Sequence, residues 1–231
     1  MKENQNIRIA VDAVVFGFQK NQLYVLLIQQ NFNTSNLHWA LPGGLVQNNE
    51  SLHQAVLREL KEETNVEVNF LEQLFTFGDD LQRDHRNRVI AVAYFGLVDS
   101  SKFHLVAATD ALHAKWIPIK EIPTLAFDHN LIIDTAYKRL QAKLTYQPVG
   151  FDLLPTEFLF SELENLYCVI LNKEIDRRNF RKKILSFGIL EETNNFAPQL
   201  KSGRPGKLFR FNTLIYNKLT EEGFLFQINF I

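Results

Sequence analysis

An α/β unit over residues 1–148, followed over 149–231 by a small helix-turn-helix unit with a β wing, is the fold class that the sequence predicts. Three observations predict it. Strand-like and helix-like patterns alternate through the first part, whereas a capped apolar helix, a short turn and a strongly basic helix follow one another after residue 160. The third observation is charge. The formal net charge is −1, yet the window from Lys173 to Arg210 holds ten Lys/Arg against four Asp/Glu, so it carries +6 and the other 193 residues carry −7. A basic module is joined to an acidic one. The first attracts polyanions and the second repels them, so the two do different jobs.

A chain of 231 residues with 46% apolar content can bury one large core or two small ones. No apolar run approaches the ~18 residues of a membrane span, and the opening "MKENQN" has no signal-like apolar stretch behind it. A cytoplasmic protein is the expectation. The lone Cys168 excludes an internal disulfide and offers no metal-binding cysteine spacing, so it reads as a buried core thiol in a reducing compartment.

In chain order, "IRIAVDAVVFGF" (7–18) and "LYVLLIQQ" (23–30) are β-rich runs separated by the hairpin turn "QKNQ", and "RVIAVAYFGLV" (88–98) is a third long strand. Helical spacing occupies Leu52 to Glu63. It returns from Asn130 to Leu144, with Ile133, Ala136, Tyr137, Leu140 and Leu144 on one stripe. No internal repeat or low-complexity tract interrupts the chain. The nearest thing to a linker is "TYQPVGFDLLP" (145–155), where two prolines and a glycine break periodicity. Beyond it, "SELENLYCVILN" opens with Ser161 and has Glu164 three residues on, a capping signature, with Leu163, Leu166, Tyr167, Ile170 and Leu171 forming one stripe. Asp176 can cap a second helix in which Phe180, Ile184 and Phe187 face inward and Arg177, Arg178, Arg181 and Lys182 face out. The strand-like "GILEET" and "LFRFN", with the loop "NNFAPQLKSGRPGK" between them, complete a wing. Arg177, Arg178, Asn179, Arg181, Lys182, Lys201, Arg204 and Lys207 are its candidate contacts to double-stranded DNA.

The stretch "GGLVQNNESLHQAVLRELKEETN" places three glutamates within five positions. At ~100° per residue, Leu52, Ala55, Val56 and Leu60 define the buried stripe, and Glu59 and Glu63 project into its middle. Like charges four apart on a helix cost roughly 0.2–0.5 kcal/mol even when exposed, and a divalent cation removes that cost. From the glutamates alone, a charged helix whose arginine neutralises its neighbours reads equally well.

Gly44, five residues, Glu50, seven residues and then "RELKEETNV" (58–66) together resemble the Nudix box, with Asn65 standing where the family has glycine. Asparagine also tolerates the left-handed conformation that ends a helix. By that resemblance Glu59, Glu62 and Glu63 are candidate catalytic residues and metal ligands for Mg²⁺ or Mn²⁺, with the Gly44 carbonyl as a further ligand. Glu50 and Arg58 form the ion pair that ties loop to helix. The implied chemistry is attack of a metal-activated water on the pyrophosphate of a nucleoside diphosphate. "HWALPGG" resembles the approach to such a loop, with Trp39 read as a core residue.

The whole chain resembles the Nudix-related transcriptional regulators, an α/β/α sandwich followed by a winged helix. The segments "FTFGDDLQRDHRNRVIAVAYFGLV", "LAFDHNLII", "GFDLLP", "RRNFRKK" and "KSGRPGKLFRF" carry that likeness. The resemblance implies a homodimer that binds operator DNA in response to a small effector, ADP-ribose in one branch and a pentose in another. A Mg²⁺-dependent pyrophosphatase with an accessory C-terminal domain is the alternative, and the unbroken box leaves enzymatic activity open. In the loop from Gly78 to Arg88, Arg83, Arg86 and Arg88 are placed to contact effector phosphates, with Asp80 and Asp84 to accept ribose hydroxyls or orient the arginines. His85 stands there in place of the proline found in relatives. His129 in "AFDHN" reads as a core or capping histidine.

Overall fold

The computed structural model describes residues 6–30, 38–68, 70–99, 114–198 and 205–228. Two compact units result: the first takes in most of the chain up to Arg139, and the second Leu140–Ile231 with the short segments Phe18–Leu23 and Asp99–Ser101.

In the first unit, β1 (Arg8–Gln19) and β2 (Gln22–Gln30) form the expected hairpin. Lys20 and Asn21 both take positive φ, 50° and 58°, the signature of a two-residue turn whose twist matches the strands. Short strands β3 (His38–Ala40) and β4 (Gly43–Leu45) lead into α1 (Leu52–Thr64), and β5 (Phe70–Phe77), β6 (Val89–Val98), β7 (Ala114–Pro118) and α2 (His129–Tyr146) follow. The sheet order is β3-β2-β1-β6-β5, with β4 on β1 and β7 on β2. β1 and β6 run parallel, in register from Arg8↔Val89 to Gly17↔Val98. That pairing explains why both strands read as continuous apolar runs. One face carries Val11, Ala13, Val15, Val92 and Tyr94 against Ala55, Val56 and Leu60 of α1, while Val14, Phe16, Phe95 and Leu97 of the other face are buried as well.

Asn65 ends α1 at φ 53°, its N–H donating to the Lys61 carbonyl at 3.1 Å, so the substitution in the box leaves the helix end intact. Strands β3, β4, β5 and β7 were not legible as local patterns.

The second unit holds β8 (Phe158–Leu159), α3 (Phe160–Leu171), α4 (Arg177–Ser186), β9 (Leu190–Phe196), β10 (Lys207–Phe211) and α5 (Thr213–Glu221). Its sheet order is β8-β10-β9. The core is aromatic: Phe151 stacks on Phe211 at 4.5 Å, Phe160 meets Phe209 at 5.6 Å and Tyr167 meets Phe180 at 4.8 Å.

Three expectations are corrected here. α3 begins at Phe160, one residue before Ser161, and Glu162 accepts the Leu159 N–H at 2.7 Å. Glu164 is buried instead. The segment read as a linker is a short 3-10 turn, Val149–Leu153, with Val149, Gly150, Phe151 and Leu153 buried. A Cβ on Gly150 would stand 3.0 Å from Leu144 and 3.2 Å from Leu166, so this chain segment packs closely and a side chain there would push its neighbours by a few tenths of an ångström. The two compact units divide between Arg139 and Leu140, within α2. Cys168 is half-buried rather than fully buried. Among the described residues no helix is long and apolar enough to cross a membrane.

Candidate effector site and nucleic-acid interface

The corner between β4 and α1 builds the first cluster. Ser51 caps α1, accepting from Gln54 N at 3.2 Å while its own N–H donates to the Gln54 side chain at 2.9 Å. Glu50 receives both Nε (2.9 Å) and Nη2 (2.7 Å) of Arg58, the ion pair that the box implies, and those bonds hold its carboxyl down to about 2. Arg58 does more than close that pair. Its Nη1 also donates to Glu59 at 2.7 Å and to Glu62 at 3.2 Å. Gly44 lies against the same glutamate, since a Cβ there would come within 2.3 Å of Glu59 Oε1.

Glu63 has different partners. One oxygen accepts the Gly43 N–H at 2.9 Å and the other accepts Gln30 Nε2. Among the described residues no group of three or more His, Cys, Asp or Glu side chains is arranged to hold a metal ion. Of the implied ligand set, Glu59 and Glu62 share the Arg58 guanidinium, and Glu63 is bonded to Gly43 and Gln30. Arg58 spreads one positive charge over Glu50, Glu59 and Glu62, so it offsets their repulsion only in part.

Burial pushes the Glu63 carboxyl up to about 7; the Gly43 N–H opposes the shift and the nearby Glu59 and Asp12 charges add to it. Its folded pKa lies above the ordinary 4.5, so its contribution to stability is complete below about pH 4.5 and is lost as pH rises through 7. Glu63→Gln is expected to flatten that slope and to gain on the order of 2–3 kcal/mol above pH 8. Urea denaturation from pH 4.5 to pH 8.5 checks it; an unchanged slope would place the loss elsewhere.

A second cluster joins β1, the 78–88 loop and the start of α2. Arg83 is 8% exposed and donates through Nε and Nη2 to both oxygens of Asp128, at 2.9 and 2.6 Å, with Asp12 3.5 Å from Nη2. Burial lowers its pKa, but the Asp128 and Asp12 carboxylates outweigh that and raise it. In this geometry Arg83 is held inside the fold by two carboxylates. Asp84 likewise takes the Arg86 guanidinium through two bonds, 2.9 and 2.8 Å, and Arg86 lies 4.9 Å over the Phe127 ring. Asp80 accepts from the Gln82 N–H at 2.8 Å, and His85 is exposed. Arg88 donates through Nη2 to the Gly78 carbonyl at 2.7 Å, while its Nη1 is buried without a hydrogen-bond partner.

His129 is 4% exposed, as a core histidine should be. Its Nδ1 accepts the Leu41 N–H at 2.9 Å, which puts the proton of the neutral ring on Nε2, 3.7 Å from Asp12. Burial keeps its pKa below the ordinary value. Trp39 is half-buried, and its carbonyl accepts the Ala126 N–H at 2.8 Å. Asp12, Asp128 and Gln30 escaped the sequence reading. A lone carboxylate inside the apolar "IRIAVDAVV" was the available signal.

In the second unit, Asp176 caps α4 as expected, accepting Asn179 N at 3.1 Å and the Asn179 side chain at 2.7 Å. Phe180 and Ile184 are buried beneath it. Arg177 is drawn to α3, with Nη1 3.2 Å from the buried Glu164 and Nη2 2.9 Å from Asn165. The Arg181 guanidinium lies 4.3 Å over the Phe160 ring and 5.4 Å over Phe209. Arg177, Arg178, Arg181 and Lys182 all stand exposed, as expected. Lys207, at the start of β10, pairs with Glu192. Lys201 and Arg204 lie outside the described residues.

Residues 6–140 match the family model described as the NUDIX domain, and residues 150–211 match the NrtR DNA-binding winged helix domain. An ADPR responsive transcriptional repressor NtrR from Acinetobacter baylyi is 31% identical over 207 residues, covering 88% of this chain and 81% of the relative. The crystal structure of Shewanella oneidensis NrtR complexed with a 27mer DNA is similar at a TM-score of 0.78 and 33% identity, covering 90% of this chain and 95% of that one. The NUDIX domain of Shewanella oneidensis NrtR, solved with ADP ribose, aligns at a TM-score of 0.51 and 35% identity over 60% of this chain and 92% of that one.

Proposed function

The chain belongs to the Nudix family and carries the DNA-binding winged helix of the NrtR kind, and from that premise we propose that it is an ADP-ribose-responsive, DNA-binding transcriptional regulator. The observation that carries the reading is the likeness of both units, in the same order and over nine tenths of the chain, to a regulator solved on DNA. We assign effector sensing to the first unit and operator binding to the second, with a homodimer presenting two recognition helices to two half-sites.

Two features of the site bear on its ligand. Hydrolases of the family use divalent cations, and here the single charge of Arg58 is shared by Glu50, Glu59 and Glu62, which leaves the cluster net negative. The Arg88 Nη1 is a buried donor without a partner, the kind of group that a phosphate oxygen satisfies and a neutral pentose satisfies less well. The pyrophosphatase reading rests on the presence of all three glutamates.

An effector shifts DNA affinity only through its different affinity for the DNA-competent and DNA-incompetent states, so bond cleavage is not required. The expected result is that ADP-ribose, and not arabinose, changes DNA affinity in a titration, with Glu63→Gln responding as wild type does. ADP-ribose should be recovered intact. Release of AMP and ribose 5-phosphate in Mg²⁺ or Mn²⁺, abolished in Glu63→Gln together with the DNA response, would establish the pyrophosphatase reading instead.

A further inference from the structure

Two of the three arginines of α4 that sequence alone places on DNA, Arg177 and Arg181, are exposed yet bonded to the protein, and the helix face beside them contains a leucine. Arg177 is bonded to Glu164 and Asn165, and Arg181 lies over Phe160 of α3 and Phe209 of β10. Asn179 is turned back onto Asp176. At ~100° per residue, the row opposite the buried Phe180 and Ile184 is Arg178, Lys182 and Leu185, spaced i, i+4, i+7. Leu185 is 40% exposed, an apolar side chain beside two cations on the outward side of a basic helix.

Resting on the DNA-binding reading of the second unit, we propose that Arg178, Lys182 and Leu185 are the contact row of the recognition helix, with Leu185 seated on a thymine methyl group, while Arg177 and Arg181 are positioning residues. The major groove displays one apolar group, the 5-methyl of thymine, and an exposed leucine is matched to nothing else there. Seven residues of helix rise roughly 10 Å, which is about three base pairs at 3.4 Å each. The row therefore covers a triplet, with the cations toward one end and the methyl contact at the other. Arg181 fixes α4 against both α3 and the wing strand, so it sets where the row points without touching a base.

The experiment uses the full chain and DNA duplexes that the wild-type protein selects from a random-sequence library, each made with thymine and again with uracil at single positions. Wild type is expected to bind the thymine form about fourfold more tightly at one position per half-site, the value of about one buried methyl. Leu185→Ala should bind the two forms equally. Arg178→Ala should relax preference at a neighbouring position. Arg181→Ala should weaken all duplexes together without changing the order of preference, and Arg181→Lys, which keeps a cation over the rings, should restore most of that loss. A thymine-to-uracil ratio unchanged by Leu185→Ala, or absent in wild type, overturns the methyl contact and leaves Leu185 a solvent-facing residue. Base preference that relaxes in Arg181→Ala overturns its positioning role. If wild type selects no sequence at all, the DNA-binding reading itself falls, which is a different result from either.

Discussion

Arg83→Ala is expected to destabilise the first unit by about 3–5 kcal/mol, a large share of the stability of a domain this size. Arg83 is the one cation between Asp12 and Asp128 in the described ion pairs of this cluster, and its side chain is 4% exposed. Removing it leaves two carboxylates, 8% and 17% exposed, without their partner. Most of the loss comes from that uncompensated charge rather than from the pair itself. Adding Asp128→Asn to Arg83→Ala should therefore recover part of it. His129 gives a second readout, because the Arg83 charge helps to hold its pKa down and the two aspartates push it up. In Arg83→Ala the His129 pKa should rise, which an NMR titration would show. Denaturant unfolding of the single and double variants checks the energetic part. A loss below about 1 kcal/mol, accompanied by a tenfold fall in ADP-ribose affinity, would return Arg83 to the effector-contact role that its sequence position suggests.

Phe180→Ala should abolish DNA binding while leaving ADP-ribose binding in place. The ring is 4% exposed, 4.8 Å from Tyr167 and 6.3 Å from Phe160, and it anchors α4 from below. Truncating a buried phenylalanine costs about 3–5 kcal/mol. The second unit spans fewer residues than the first and has less to lose, so α4 should be poorly ordered in the variant. Calorimetry of ADP-ribose binding and a mobility-shift titration on the same preparation separate the outcomes. Loss of both activities would mean that the two units do not fold independently.

What could be read from the sequence was local. The Lys20-Asn21 turn, the Leu52–Thr64 helix and its asparagine cap, the Glu50–Arg58 pair, the Asp176 cap and the buried Phe180 and Ile184 all follow from residues a few positions apart, where periodicity and capping chemistry decide the outcome. The family likeness of both halves was equally legible, because the box and the basic helix are short contiguous patterns. The tertiary structure decided the rest. Arg83 meets partners 45 and 71 positions away, His129 meets an amide 88 positions away, and β1 pairs in parallel with a strand that begins at Val89. Arg181 is exposed as helical periodicity places it, but periodicity shows only the angle at which a residue leaves its own helix. That Phe160 and Phe209 approach from another helix and a strand is not written in that angle. The same holds for the segment read as a linker: its prolines and glycine break periodicity, but whether an aperiodic segment is loose or buried depends on what packs against it, and Phe211 does. A sequence states which side chains carry charge and which faces are apolar. Only the folded chain brings distant side chains close enough to settle whether a given charge stays free for a ligand or is consumed by the protein.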